Sequence, residues 1–249
     1  LPIFFCADFD NDGDKDVAVG CDGNNLVYIY KNNGTGSLSL LTTYGCGTNV
    51  RDMSGADFNN DGKPDFATAN SVSANISIRL GDGTGGFTSP LHGEVELGFS
   101  NNPRSVVIGD FNGDGKLDFL VTNGDNGEYP SPMKKYHGVR VYENKGNGNF
   151  EEAFFYPLNG AFKAVARDFD GDGDLDIAAI SFFPDYAKSP EESFVYLENN
   201  GHNQFSAFTI REHLAGRWLT MDVADLDGER AGETDALLHA AGEIGRAHV

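Results

Sequence analysis

The chain has 249 residues, of which 39% are hydrophobic, and this is enough apolar material to bury a sizeable core. Its formal net charge is −20 and it carries no basic stripe, so binding to nucleic acid through phosphate contacts is not expected. No apolar run approaches the length of a membrane span, and motifs of nucleophile elbows, zinc helices, P-loops and dinucleotide folds are absent from the sequence. The acidic residues are therefore the first place to look for a function.

A nine-residue acidic loop recurs four times along the chain, as DFDNDGDKD at 8–16, DFNNDGKPD at 57–65, DFNGDGKLD at 110–118 and DFDGDGDLD at 168–176. Oxygens on alternate residues of a tight turn can converge on one hard cation, and Ca²⁺ accepts about six to eight of them. We therefore predict about four Ca²⁺ sites. The predicted ligands are the side chains at positions 1, 3, 5 and 9 and the backbone carbonyl at position 7, namely Asp8, Asp10, Asp12, Asp14, Asp16, Asp57, Asn59, Asp61, Lys63, Asp65, Asp110, Asn112, Asp114, Lys116, Asp118, Asp168, Asp170, Asp172, Asp174 and Asp176.

The residue at position 6 of every loop is glycine, which suits a sharp turn with positive φ. An EF-hand has the same opening but needs flanking helices and a glutamate at position 12. Here the segments on both sides of the loops have the composition of strands. The residues at position 12 are Val19, Thr68, Val121 and Ala179. We therefore reject the EF-hand.

The loops start at 8, 57, 110 and 168, a spacing typical of propeller blades. Each repeat also predicts a hairpin, in which an alternating segment is followed by a Gly/Asn turn and an apolar residue. Clear examples are NISIRLGDGTGGF at 75–87, GVRVYENKGNGNF at 138–150 and SFVYLENNGHNQF at 193–205. Repeats three and four are longer, and we place their insertions at 124–137 and 182–192. A degenerate fifth loop begins at Asp225 and Asp227, lacks the glycine, and offers Asp235 as its next carboxylate in phase with a strand.

These loops and the trailing Asn-Asn-Gly-x-Gly-x-Phe hairpins resemble the FG-GAP or VCBS repeat β-propellers over nearly the whole chain. The resemblance implies an all-β fold of four-stranded blades, with a Ca²⁺ loop joining the first two strands of each blade. We expect a fragment of a seven-bladed propeller, with six or eight blades also open. The repeats of this single partial domain are expected near 1–50, 51–103, 104–162, 163–216 and 217–242. The last residues, EIGRAHV at 243–249, resemble translated adapter sequence, so we expect a non-native tail there.

Calcium loops of this open kind bind at roughly 10⁻⁴ to 10⁻³ M, a range that extracellular calcium would fill. We therefore expect an extracellular or cell-surface protein. The resembling family includes adhesion heads, lectin-like modules and appendages of secreted enzymes, so the resemblance alone does not fix an activity.

A basic residue stands five to eight residues before each loop, at Arg51, Arg104, Lys163 and Arg217. In propeller blades these positions lie at the start of the innermost strand, where the four side chains could ring the central funnel and bind carboxylate or sulfate groups. The alternative is that each base pairs with a local acidic residue such as Asp52 or Glu212.

The two insertions are expected on the face opposite the acidic loops, where they offer aromatic residues beside charges, including Tyr136, His137 and Tyr186. His137 is the one candidate general base, because some secreted propellers are polysaccharide lyases that use histidine or tyrosine with arginine. Ordinary surface loops are the alternative.

The three cysteines all lie in the first repeat. The predicted face geometry would allow a disulfide between Cys21 and Cys46, with three unpaired small hydrophobic residues as an equal alternative. Cys6 is expected to be buried in a strand. Trp218 is expected to fill the core, with stacking on a ligand as the alternative.

These observations lead to three functional hypotheses. The favoured one is a noncatalytic, calcium-stabilised recognition or adhesion module that binds a glycan or an extracellular protein through the face opposite the loops. The others are a secreted polysaccharide lyase, or a domain appended to one, and a rigid structural spacer.

Overall fold

A computed structural model of the chain describes residues 3–98, 102–124, 134–184, 193–209, 218–224, 235–240 and 244–248. These residues form strands and no α-helix, which confirms the all-β prediction. No helix among them is long and apolar enough to span a membrane. The strands are β1 (Phe4–Ala7), β2 (Asp16–Cys21), β3 (Leu26–Asn32), β4 (Leu38–Gly45), β5 (Val50–Ala56), β6 (Asp65–Asn70), β7 (Asn75–Gly81), β8 (Phe87–Thr88), β9 (Glu94–Glu96), β10 (Pro103–Gly109), β11 (Asp118–Asn123), β12 (Gly138–Gly146), β13 (Asn149–Pro157), β14 (Ala161–Arg167), β15 (Asp176–Ser181), β16 (Phe194–Asn199), β17 (Phe205–Phe208), β18 (Trp218–Ala224), β19 (Asp235–Ala240) and β20 (Ile244–His248).

Consecutive strands pair into sheets with the order β1-β2-β3-β4, β5-β6-β7-β8, β10-β11-β12-β13, β14-β15-β16-β17 and β18-β19-β20, and β9 adds to β7. Each acidic loop joins the first two strands of its sheet, as predicted. The predicted hairpins are β7-β8, β12-β13 and β16-β17. Asp235 begins β19 opposite Ala224, in the register that Asp16 has opposite Ala7. Most of the degenerate fifth loop lies outside the described residues, while 244–248 of the expected tail form β20.

The chain divides into two compact units. The first unit comprises residues 1–108 and 144–151, and its core contains Phe9, Met53 and Phe66 around Phe87. The Phe87 ring meets Phe66 at 4.9 Å and Phe9 at 5.4 Å between ring centroids, in edge-on geometry. Phe87, the apolar residue that follows its Gly/Asn turn, therefore anchors this hairpin, whereas its counterpart Leu38 is 49% exposed.

The second unit comprises residues 109–143 and 152–249. Phe169, Ile180, Phe194, Trp218 and Met221 form one of its core clusters. The core position expected for Trp218 is confirmed, because the side chain is 6% exposed.

Strand burial follows the order of the strands within each sheet. The second strands β6, β11 and β15 are buried at every residue, whereas the fourth strand β4 is largely exposed. Phenylalanine at position 2 of each loop is buried, so every loop is pinned to the core by one aromatic ring. These residues are Phe9, Phe58, Phe111 and Phe169.

In the first unit the connections separate into two faces. On one, which we call the loop face, the acidic loop 8–16 contacts the next hairpin turn through hydrogen bonds from Gly85 N to Phe9 O at 2.8 Å and from Asn11 Nδ2 to Gly83 O at 3.3 Å. On the other, which we call the opposite face, the β2–β3, β4–β5 and β6–β7 connections meet. Cys46 N donates to Asn25 O at 3.1 Å there.

Candidate metal centres

The first aspartate of each acidic loop is bound to the backbone of its own turn. Its Oδ2 accepts the N–H of the position-6 glycine at 2.9 Å, 2.7 Å, 2.8 Å and 3.1 Å in the four loops in chain order. These glycines have φ of +95°, +81°, +82° and +99°. A Cβ on any of them would meet no atom within 4 Å, so the backbone conformation and not the available space requires glycine.

The aspartate at position 5 makes a second turn in every loop. Its Oδ1 accepts the N–H of the residue at position 7, at 3.0 Å, 3.0 Å, 2.9 Å and 2.9 Å in chain order. This Asx turn fixes the loop conformation and occupies one oxygen of the carboxylate. The four loops therefore share the same local hydrogen bonds.

The aspartate at position 9 lies beneath the loop, where its carboxylate accepts hydrogen bonds from separate segments of its sheet. We call this arrangement the clamp. Asp65 Oδ2 accepts from Phe58 N at 2.7 Å, and its Oδ1 accepts from Gly81 N at 2.8 Å. Burial raises the pKa of Asp65 to about 6, against the opposing effect of these two hydrogen bonds. The ionised carboxylate is therefore under-compensated, as expected of a group that a cation would stabilise.

Asp176 repeats this arrangement in the fourth loop. It accepts from Phe169 N at 3.0 Å, from Asn199 N at 2.7 Å and from the Tyr196 hydroxyl at 2.9 Å. Burial also raises the pKa of Asp176. The four position-9 aspartates are 0–1% exposed, so this clamp recurs along the chain; they are Asp16, Asp65, Asp118 and Asp176.

Carboxylates of the first and fourth loops come close enough to share an ion. One oxygen from each of Asp8, Asp10 and Asp16 lies within 4.8 Å of the other two, and the same holds for Asp168, Asp170 and Asp176. Asp10 Oδ1 is buried and has no hydrogen-bond partner among the described residues. An orphaned buried oxygen in an all-oxygen cluster fits a hard cation such as Ca²⁺.

The second and third loops carry less negative charge. Their position-3 residues, Asn59 and Asn112, use the side-chain oxygen to accept the N–H of Asp61 at 3.0 Å and of Asp114 at 2.9 Å. The side chains of the position-7 lysines fold back onto the position-5 carboxylates. Lys63 Nζ lies 3.3 Å from Asp61 and Lys116 Nζ lies 2.7 Å from Asp114. These two loops can offer backbone and amide oxygens, but each has fewer carboxylates for a metal.

The opposite face of the first unit contains a network of amides and hydroxyls around the Arg51–Asp22 ion pair. Arg51 lies 3.3 Å from Asp22 Oδ2, and its Nε lies 3.3 Å from Ser71 Oγ. Asn49 donates to Asp22, and Ser71 donates to Asn49. A groove adjoins this network, lined by residues 71–74, Glu96 and Asn102. The face is therefore polar, nearly charge-balanced and concave.

The basic residues of the predicted ring lie near the start of the first strands, but not in one register: Arg51 lies at the bulge of β5, whereas Lys163 follows the bulge of β14 and corresponds to Asp52. Arg51, Arg104 and Lys163 lie at the start of β5, β10 and β14, and Arg217 lies outside the described residues. The acidic partner of Arg51 is Asp22, and Asp52 instead accepts from the Ser105 hydroxyl at 2.7 Å. Arg51 thus pairs with an acidic residue other than the Asp52 that we considered. The ring of basic residues remains a prediction.

Family models of the FG-GAP-like repeat match residues 8–68, 57–121 and 132–179, and a model of the FG-GAP repeat matches 102–142. The chain belongs to the FG-GAP-like repeat family. This confirms the resemblance noted in the sequence. A comparison with curated protein sequences gave no significant match.

Two solved structures are similar to this FG-GAP-like repeat chain in fold. One is BBS1N, solved in complex with ARL6DN, with a TM-score of 0.59 at 12% identity over 99% of this chain and 66% of that chain. The other is a protein from Lactobacillus plantarum, with a TM-score of 0.57 at 15% identity over 86% of this chain and 57% of that chain. The chain thus spans 57–66% of the length of these two chains. With the four-stranded antiparallel sheets, the family and the fold likeness identify a fragment of a β-propeller.

The candidate base His137 lies in the interior of the FG-GAP-like repeat chain. It is 2% exposed, and its Nδ1 accepts the N–H of Gly160 at 3.2 Å and lies 3.1 Å from Asn159 Oδ1. Tyr136 packs edge-on against the ring at 4.9 Å. This geometry is that of a structural histidine.

Much of the two insertions falls outside the described residues, which omit 125–133 and 185–192. Tyr186 is among the omitted residues. The recognition role predicted for the insertions therefore remains a prediction.

The cysteines of the first repeat are all free, so the Cys21–Cys46 disulfide that we considered is not formed in this structure. Cys6 is exposed, and the prediction that it is buried was wrong. Side chains alternate along β1, and the Phe5 and Ala7 side chains pack against the core cluster while Phe4 and Cys6 face the other way. Burial raises the pKa of Cys46 to about 11.

Sequence reasoning missed Lys31, which lies in β3 and reaches the first acidic loop. It also missed Asp22, Asn49 and Ser71 on the opposite face. A signal existed for Lys31 alone, because it directly precedes the Asn-Asn-Gly turn of the repeated hairpin and lies one residue before the end of the third strand.

Proposed function

We propose that this chain is a calcium-stabilised module of an extracellular protein, and that it recognises a glycan or a protein through the opposite face without catalysing a reaction. The proposal of calcium binding rests on the hydrogen-bond pattern that is repeated in the four loops. Each holds its backbone in the same turns and places a buried aspartate beneath the turn. Loops held in this way need little rearrangement to bind an ion.

The location follows from the affinity expected of such loops. Two of them bring three carboxylates together, and the position-1 and position-5 aspartates also serve the backbone. Open sites of this type fit the range of roughly 10⁻⁴ to 10⁻³ M, which matches extracellular and not cytosolic calcium.

The recognition part rests on the chemistry of the opposite face. The side chains of Arg51 and Asp22 are 38% and 48% exposed, so both remain accessible beside the groove. Val72 at the groove is 68% exposed and adds an apolar contact. Amide and hydroxyl groups beside an accessible arginine suit the hydroxyls and carboxylates of a glycan or the polar surface of a protein.

The lyase alternative is disfavoured, because its candidate general base is His137, whose side chain is buried and accepts a hydrogen bond from the backbone. The spacer alternative differs from the favoured function in predicting no ligand for the opposite face. Both alternatives are separated from recognition by the same experiment.

The experiment incubates the chain in millimolar Ca²⁺ with a panel of acidic and neutral polysaccharides. Retention of one polysaccharide without unsaturated products in ultraviolet absorbance is the expected result, and Arg51→Met should weaken that retention. Lys15→Leu is the matched control, because Lys15 is exposed and lies on the loop face. Unsaturated products would instead establish a lyase, and retention that is insensitive to Arg51→Met would place the ligand elsewhere.

A further inference from the structure

The first acidic loop already holds a cation that belongs to the chain. Lys31 extends from β3, and its ammonium forms ion pairs with the Asp10 carboxylate and with Asp12 Oδ2, the latter at 2.9 Å. These carboxylates stand at positions 3 and 5 of the loop, where the sequence predicts calcium ligands. The Lys31 side chain is 37% exposed, and that of Asp10 is 11% exposed. The ammonium therefore occupies the mouth of the predicted site.

The place of Lys31 in the repeat is defined by backbone hydrogen bonds. The residue that follows it, Asn32, donates its N–H to Asp16 at 2.8 Å. Gly81 and Asn199 make the same bond to the position-9 aspartates of their own loops, at 2.8 Å and 2.7 Å. The position before each of these donors is therefore equivalent between sheets.

The equivalent position carries a different charge in each repeat. It is Leu80 in the second sheet and Glu198 in the fourth. In the third sheet the pairing of Phe119 with Tyr142 makes it Glu143. The position that carries a lysine in the first repeat thus carries a neutral residue in the second and a glutamate in the third and fourth.

A lysine ammonium and a calcium ion compete for the same carboxylate oxygens. An incoming Ca²⁺ must displace the ammonium from Asp10 and Asp12 or bind beside it against like-charge repulsion. A glutamate at the same position would instead add attraction for the ion.

We propose that this third-strand position sets the calcium threshold of each loop, and that Lys31 makes the first loop the last to fill. The proposal rests on the proposed calcium binding. Although the first and fourth loops have the same five aspartates, they should differ in affinity because Lys31 pairs with the first loop and Glu198 occupies the equivalent position in the fourth repeat.

The test uses one reporter for each loop in the 249-residue chain. The position-6 glycines donate their N–H groups to the position-1 aspartates, so their amide resonances sense rearrangement of those carboxylates. A titration with CaCl₂, followed by ¹⁵N-¹H correlation spectra, gives four half-saturation concentrations. The reporters are Gly13, Gly62, Gly115 and Gly173.

We expect Gly173 to respond at the lowest Ca²⁺ concentration and Gly13 at the highest. Lys31→Leu, which copies the second repeat, should lower the Ca²⁺ concentration at which Gly13 is half-saturated by about tenfold, and Glu198→Lys should raise that of Gly173 by a similar factor. Lys15→Leu removes the same charge from the same loop. The exposed Lys15 forms no ion pair with a described residue, so this variant should change the response much less.

Three negative results have different meanings. If all four glycines respond at similar Ca²⁺ concentrations and Lys31→Leu leaves Gly13 unchanged, the threshold proposal is wrong while calcium binding stands. If no glycine responds up to tens of millimolar Ca²⁺, the proposed function itself fails. An equal effect of Lys15→Leu and Lys31→Leu would also overturn the proposal, because it would show a general charge effect.

Discussion

The two faces of the first unit use opposite strategies for their polar groups. On the loop face the acidic loop occurs twice, at 8–16 and 57–65. Its carboxylates repel one another and accept hydrogen bonds from backbone N–H groups. On the opposite face, Asp22, Asn49, Arg51 and Ser71 satisfy one another in a network in which each residue occurs once. Repetition with unbalanced charge indicates a structural role that every blade needs, whereas a single balanced network indicates a surface for one partner.

The largest effect should come from the buried clamp beneath the fourth loop. Asp176→Ala leaves the donors of Phe169, Asn199 and Tyr196 unsatisfied in the interior. We expect the free energy of unfolding to fall by about 2–5 kcal/mol in chelator, where only these bonds are lost, and by more in Ca²⁺, where a predicted ligand is lost as well. Chemical denaturation in each buffer measures it, and a loss confined to Ca²⁺ would show that Asp176 acts only as a ligand.

A loss of stability that depends on Ca²⁺ should result from a substitution at the exposed rim of the same loop. Asp172→Ala removes a predicted ligand and one Asx turn, to Asp174 N. We expect a clear drop in melting temperature in millimolar Ca²⁺ and a much smaller drop in chelator. Thermal denaturation of both proteins in both buffers measures the difference, and equal losses would remove the distinction between clamp and ligand.

A smaller stability effect is expected on the opposite face. Arg51→Met breaks an ion pair at 3.3 Å whose side chains are 38% and 48% exposed, so solvent screens most of its energy. The melting temperature should change by less than about 2 °C. Differential scanning calorimetry checks this, and a large destabilisation would mean that the network supports the fold rather than a ligand.

The smallest effect concerns two thiols of the first repeat. Cys6 is exposed on β1, while burial raises the pKa of Cys46 to about 11. At pH 8 a disulfide reagent should modify Cys46 about a hundredfold more slowly than Cys6, because the thiolate is the reactive form. Peptide mapping after timed labelling resolves the two sites. Similar rates would show that the β4–β5 connection opens readily.

The acidic loops could be predicted from sequence because their chemistry is local. Ligand positions, the position-6 glycine and the flanking strands all lie within nine residues and repeat along the chain. The all-β fold followed from that repeat and from the hairpins.

The opposite face could not be predicted because its contacts are long-range and occur once. Asn49 meets Asp22 across 27 positions, and Arg51 pairs with Asp22 rather than with its neighbour Asp52. Burial of His137 also depends on tertiary contact, since its partner Gly160 follows 23 positions later. No spacing rule in the sequence encodes these contacts. The loop face could therefore be predicted from local repeats, whereas the opposite face could not.

Thermal unfolding of the chain in about 5 mM Ca²⁺, in chelator and in about 5 mM Mg²⁺ tests the central claim most directly. Each site with a dissociation constant near 10⁻⁴ to 10⁻³ M should add roughly 1–2 kcal/mol of stability at that concentration. The account predicts a rise of about 5 °C or more in Ca²⁺ over chelator, with little rise in Mg²⁺, which demands a smaller octahedral cage. Identical melting temperatures in Ca²⁺ and chelator would contradict a calcium-stabilised propeller.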